Sequence, residues 1–236
     1  MREIIEEHKR ILKTYEKRQQ CAQGREGLAG YEDLAHICCI HERHRETLLS
    51  LKIAGYHPFL DLHILDVGCG DGNMLREFLQ WGATPERLAG IELRPELVQR
   101  ASRLNPNLDV RCGSAVELAW PSGTFDLVCQ HTVFTSILSP KIKQQIAIEM
   151  DRVLPPGGAV LWYDFKYNNP SNPDVRGIKA KEIRSLFPGF NAYLRLITLA
   201  PPIARRLPQT LLPVLYPILA AIPLLRTHYS GILVKP

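Results

Sequence analysis

His63–Leu75, HILDVGCGDGNML, is the stretch on which the reading turns. Mostly apolar residues rise into Asp66, glycines at 68, 70 and 72 break the strand, and NMLREFLQW suits a helix. Glycine has no Cβ, so Gly68 and Gly70 admit backbone angles that other residues resist and let a ligand lie against the main chain. The helix that follows turns its free N–H groups and positive dipole end to the same spot, which suits a carboxylate or a phosphate. Asp66 adds a fixed acceptor for a cationic amine. The glycines are spaced GxGxG and not the GxGxxG of dinucleotide binders. A second acid adds weight: RLAGIEL reads as another apolar strand, and its Glu92 stands 20 residues beyond Gly72, where a carboxylate grips ribose hydroxyls.

The chain has 236 residues, 45% of them hydrophobic and 22% charged, enough for one large α/β domain with embellishments. Its formal charge of +5 is scattered, with no run of five or six like charges, so nucleic acid is not an implied partner. Cys21, Cys38, Cys39, Cys69, Cys112 and Cys129 suit reduced thiols better than a disulfide framework, the last three in or beside buried strands. The opening MREIIEEHKRILKTYEKRQQ is too charged for a signal peptide. A cytoplasmic protein is expected.

Taken in order, Arg2 to about Arg18 carries apolar residues at helical spacing and predicts an amphipathic helix packed over the edge of the ligand site or on another chain. Glycines at 24, 27 and 30 interrupt it, and a second helix is expected from about Tyr31 to Lys52. His36, Cys38, Cys39, His41 and His44 match no closed zinc pattern, so no metal is assigned. Past the glycine turn come a helix over Asn73–Trp81, the strand with Glu92, a helix opened by Pro95, the short strand LDVRC and a strand over Phe125–Cys129. A helix over about Lys141–Leu154 and the strand AVLWYDF follow. Alternating strands and helices give a parallel sheet with right-handed crossovers, and ligands belong at its carboxyl edge.

DVGCGDGNML, GIEL, FDLVCQHTVF and RVLPPGGAVLWYDF, in this order and at these intervals, resemble the successive motifs of class I S-adenosylmethionine-dependent methyltransferases. The resemblance covers about residues 60–165 and is closer to the small-molecule branch called type 11, since Gln130–Val133 stand where nucleic-acid and protein methylators carry an NPPY-type tetrapeptide. It implies a Rossmann-like, seven-stranded, mostly parallel sheet with helices on both faces, the last two strands forming a hairpin within 190–200 and 228–235. It also implies cofactor contacts: Asp66, Gly68, Cys69 and Gly70 around the methionine moiety, Glu92 and Leu93 at the ribose, Ser114 and Ala115 beside the adenine, and Gln130 by the sulfonium. Many relatives have Asp where Ser114 stands, and a neutral hydroxyl is the weaker acceptor.

Methyl transfer asks chiefly for in-line positioning and exclusion of water. His131, just past the fourth strand, is the candidate general base for an acceptor hydroxyl, or a group that hydrogen-bonds cofactor or backbone. Tyr163 and Asp164 close the fifth strand at the same edge, to orient an acceptor, or, for Asp164, to cap the next loop. In KYNNPSNPDVRG, Tyr167, Asn168 and Arg176 are candidate contacts for a polar substrate, against a loop bonded to itself.

Leu207–Leu225 is uncharged, but prolines at 208, 213, 217 and 223 argue against a membrane span. It reads as a helical lid, a subunit contact in a homodimer, or a peripheral membrane contact flanked by Arg205, Arg206 and Arg226. The expected organisation is an N-terminal helical cap (1–58), a cofactor-binding core (59–198 and 227–236) and a Pro-rich lid insertion (199–226). The function expected is O-methylation of a small molecule with S-adenosyl-L-methionine. Alternatives are N- or C-methylation of a natural-product, sugar or lipid-linked acceptor and a non-catalytic cofactor-binding subunit. An NAD-dependent dehydrogenase is disfavoured by the glycine spacing.

Overall fold

The structure, a computed structural model, describes residues 2–22, 33–169 and 172–236. The expected glycine interruption at 24, 27 and 30, the helix start at Tyr31, Pro170 and the Cys21 side chain lie outside what is described.

Seven strands form one sheet in the order β3-β2-β1-β4-β5-β7-β6. They are β1 (Ile64–Val67), β2 (Leu88–Glu92), β3 (Asp109–Cys112), β4 (Leu127–His131), β5 (Ala159–Phe165), β6 (Asn191–Leu199) and β7 (Arg226–Val234). The first five are mutually parallel, and β7 runs antiparallel to both β5 and β6. Around them lie α1 (Arg2–Ala22), α2 (Leu34–Ile53), α3 (Asn73–Gln80), α4 (Pro95–Leu104), α5 (Pro140–Arg152), α6 (Ala180–Leu186), α7 (Pro201–Ala204) and α8 (Leu212–Ala220).

All four residues of β1 are buried, as befits a parallel strand covered on both faces. Leu65 and Val67 pack with Phe134, Trp162 and the apolar sides of α1, α5 and α6. Ile64 packs on the opposite face with Phe78 of α3 and Leu51 of α2. Local signals place the helix starts: Asp33 caps α2 by accepting from the Ala35 N–H at 2.9 Å, and Pro95 and Pro140 open α4 and α5.

Three expectations change. Phe125 lies before β4, its N–H donating to the Val153 carbonyl at 3.0 Å. Cys112 is exposed on the edge strand β3, because no strand lies beyond β3 in the sheet order. The helix α6 was not anticipated: only Ile183 and Leu186 of its seven residues are buried, too few to print a helical period. Cys38, Cys39, Cys69, Cys112 and Cys129 are free thiols.

Between β6 and β7 stand α7, α8 and a short turn over Pro223–Leu225. Ala204, Leu212, Tyr216 and Ala220 pack there against Ala35 of α2 and Leu199, and the Tyr216 hydroxyl donates to Glu42 Oε2 at 2.7 Å. Leu211, Val214, Ile218 and Leu224 remain exposed. Among the described residues no helix is long and apolar enough to cross a membrane.

The hairpin depends on Gly231, where a Cβ would overlap the Tyr193 carbonyl oxygen of the paired strand. Because the obstacle is main chain, Gly231→Ala is expected to cost about 2–3 kcal/mol, seen as a lower urea midpoint; an unchanged midpoint would contradict this register.

Candidate active site

β1 pairs with β2 on one side and β4 on the other, so a crevice opens where the connections diverge at the strands' carboxyl ends. Gly68 and Gly70, at φ +69° and +58°, bend the chain there as only glycine does readily. The N–H groups of Gly68 and Cys69 donate to the Ile91 carbonyl at 2.8 and 3.1 Å, and that of Gly70 to Glu92 Oε2 at 3.0 Å. A Cβ on Gly68 would sit 2.6 Å from Cγ2 of Val133, so the first glycine is also required by the loop after β4.

The cleft beside this bend is walled by Gly68, Glu92 and Leu93, Ser114 and Ala115, and His131–Val133. Counting its open mouth it encloses about 870 Å³, within the range of small-molecule sites. The other wall is α1, through His8, Ile11 and Tyr15. That helix is tied to the loop after β4: Arg10 donates to the Ser136 carbonyl at 2.6 Å, and Glu7 accepts from the Leu138 N–H at 2.6 Å. Where many relatives would carry Asp, Ser114 Oγ lies 2.9 Å from His8 Nε2. Burial holds His8 below the ordinary imidazole value, against the pull of Glu7. Glu92 Oε1 accepts from both the N–H and the Nε of Arg94, at 3.0 and 2.9 Å, and the Arg94 guanidinium lies 4.0 Å from the centre of the Tyr15 ring.

Four expected cofactor residues do not line this cleft. Asp66 is buried on the side of β1 nearer α2 and α3; burial, with Glu77 and Glu92 close, pushes its carboxyl well above the usual range, against the pull of Arg43. Cys69 tucks its thiol against Gly90, and Gly70 spends its N–H on Glu92. Gln130 is fully buried and braces the loop, accepting from the Val133 N–H at 3.2 Å and donating to the Tyr163 carbonyl at 3.4 Å. The side chain holds the loop that faces the cleft.

The three catalytic candidates separate as well. His131 lines the cleft, and both its ring nitrogens are buried without a hydrogen-bond partner. Burial, reinforced by Arg43 and His44, holds it well below the ordinary imidazole value, so the ring is neutral. Tyr163 faces a second cleft and shares a 3.0 Å hydrogen bond with Thr198. Asp164 reaches neither cleft. Its carboxylate accepts from the Thr135 hydroxyl at 2.6 Å, the Thr135 N–H at 3.1 Å and the Phe165 N–H at 2.9 Å, which makes it the cap of the loop after β4. Thr132 borders both clefts.

The loop after β5 stands apart. Tyr167 is exposed with Lys166 over its ring, Asn168 accepts from the Gly177 N–H at 2.9 Å, and Arg176 is exposed, its own N–H on the Thr135 carbonyl. None of the three borders either cleft. The residues that sequence reasoning passed over are His8 and Tyr15 on α1, Arg94, and Arg43 on α2. The spacing of His8, Ile11 and Tyr15 on one helical face was the available signal.

Residues 64–158 match the family model described as a methyltransferase domain. These residues form a methyltransferase domain of the class I, S-adenosylmethionine-dependent kind. It is 25% identical over 170 residues to the sterol 24-C-methyltransferase erg-4 of Neurospora crassa, covering 70% of this chain and 41% of that protein. It is 30% identical over 131 residues to norajmaline N-methyltransferase of Rauvolfia serpentina, covering 52% and 42%. Its matches thus span less than half of these relatives. In fold it is similar to a methyltransferase structure from Methanosarcina mazei, with a TM-score of 0.59 at 19% identity, covering 78% of this chain and 96% of that one.

S-adenosylmethionine is the cofactor of this methyltransferase family, and the residues present fit it. Three donors occupy Glu92, which leaves about one of its roughly four acceptor positions open toward the cleft.

Burial outweighs three donors and pushes Asp164 up to about 6, whereas the unfolded chain titrates such a carboxyl near ~3.9. Between those values the folded form holds the extra proton, so stability falls as pH rises through the window. The urea midpoint should show that slope, and Asp164→Asn should remove this group's share of it; an unaltered slope would contradict the assignment.

Proposed function

We propose that the chain transfers the methyl group of S-adenosylmethionine to an oxygen of a small molecule. The observation that carries this reading is His131: a neutral imidazole with two unpartnered, buried nitrogens, on the wall of the first cleft and 5.9 Å, ring centre to ring centre, from Tyr163 in the second.

When bound, the cofactor supplies a methyl carbon already activated by positive sulfur. What remains for the protein is to hold, orient and keep water out. In this reading Glu92 accepts from a ribose hydroxyl and Ser114 with His8 borders the adenine. Val133, pressed on Gly68, closes the floor between the clefts. His131 accepts a hydrogen bond from the acceptor, and because burial depresses its basicity it takes a proton only from an acidic hydroxyl. A protonated amine would meet the Arg43 guanidinium near the same junction, which favours oxygen. The relatives named for carbon and nitrogen acceptors indicate that the shared domain serves several acceptor atoms, so the choice of oxygen rests on His131 and Arg43 alone.

Glu92→Ala is expected to weaken binding of S-adenosylhomocysteine, measured by calorimetry, by about 10- to 100-fold. His131→Ala is expected to lower turnover by about 100-fold or more while leaving that affinity within about threefold; equal loss of both would make His131 a cofactor ligand.

A further inference from the structure

The second cleft lies between α2, α7 and the carboxyl ends of β4 and β5, with the start of β7 behind it. It meets the first cleft at Thr132. Its lining holds two arginines, Arg43 and Arg205, two histidines and no acid. The rest of the wall is aromatic or apolar, including Tyr163, Phe165 and Ile40.

Two independent features mark it as a built site. Thr132 and Thr198 are the only non-glycine residues with positive φ among the described residues, at +57° and +66°, and both line this cleft. A β-branched residue in that region is strained and persists only where its surroundings over-determine it. Here they do: the Thr132 N–H donates to the Tyr163 carbonyl at 2.8 Å, and the Thr198 N–H to Glu42 Oε2 at 3.1 Å.

The second feature is Arg43. Its Nη2 donates to Glu77 Oε1 at 2.7 Å, but its Nε is buried without a partner, a costly state for a donor. The guanidinium stands 5.8 Å from the Tyr163 ring centre. Its positive field helps hold His131, His36 and His228 below their ordinary values, His228 at about 3, after burial in each case. The neighbouring acids lie outside the lining: Glu77 pairs with Arg43 at 2.7 Å from α3, Asp33 pairs with Arg205 at 3.5 Å, and Glu42 is taken up by Thr198 and Tyr216.

We propose that the second cleft binds the methyl acceptor through a carboxylate, and that Arg43 selects it. This rests on the methyltransferase reading above and narrows it to acceptors with a carboxylate and an apolar or aromatic body. A carboxylate would give Arg43 the partner that Glu77 leaves it short of, in the planar geometry a guanidinium favours.

The test uses the full chain saturated with S-adenosylhomocysteine and three matched probes: 3-phenylpropanoate, 3-phenylpropanamide and 3-phenylpropylamine, titrated by calorimetry. The carboxylate is expected to bind at least about tenfold tighter than the amide or amine. Arg43→Gln should reduce that preference to about threefold or less with S-adenosylhomocysteine affinity unchanged, and Arg43→Lys, which keeps the charge, should retain part of it. If Arg43→Gln does not fold, judged by lost S-adenosylhomocysteine binding, the lysine variant and the wild-type series decide. Equal binding of amide or amine, no binding of the carboxylate, or an undiminished preference in the glutamine variant overturns the proposal. Failure of the wild-type chain to bind S-adenosylhomocysteine overturns the methyltransferase reading instead.

Discussion

The bend at Gly68–Gly70 is the constraint from which the remaining geometry descends. Three successive amides turn toward the end of β2, two onto the Ile91 carbonyl and one onto Glu92. That clasp sets the angle at which α3 leaves the sheet and fixes one oxygen of Glu92 before any ligand arrives. It also opens the space between β1 and β4, since the loop after β4 can come within van der Waals reach of the main chain only where no Cβ intervenes.

The two clefts that meet at this junction are made from different parts of the chain. The first is walled by the strand ends of the sheet and by α1. The second is walled by α2, α7 and the ends of β5 and β7. The first cleft thus draws on the sheet and α1, the second chiefly on α2, α7 and the strands that follow the matched residues. Arg43 belongs to α2, outside the residues that match the family model.

Much of the sheet was legible because parallel strands buried on both faces write continuous apolar runs: β5 begins and ends where AVLWYDF does. The final hairpin was not readable from periodicity. β6 alternates exposed and half-buried residues over its first six positions, and only the family resemblance located it. In the site, Glu92, Leu93, Ser114 and Ala115 border the cleft. Asp66, Cys69 and Gln130 do not, because side chains alternate across a strand and a glycine turn redirects the chain; a motif marks the place and not the direction of each residue. Arg43 was hidden for another reason. A charged residue on an amphipathic helix gives the same pattern whether it meets solvent or a crevice, and only the packing of α2 over β5 and β7 decides.

The contact between Gly68 and Val133 bears on how this sequence can change over generations. Two barriers guard position 68: its left-handed backbone, and the isopropyl group leaning on it from the far side of the crevice. Trimming position 133 lifts only the second, so drift there never liberates the glycine. The dependence runs one way, and substitutions should accumulate at 133 long before any survive at 68.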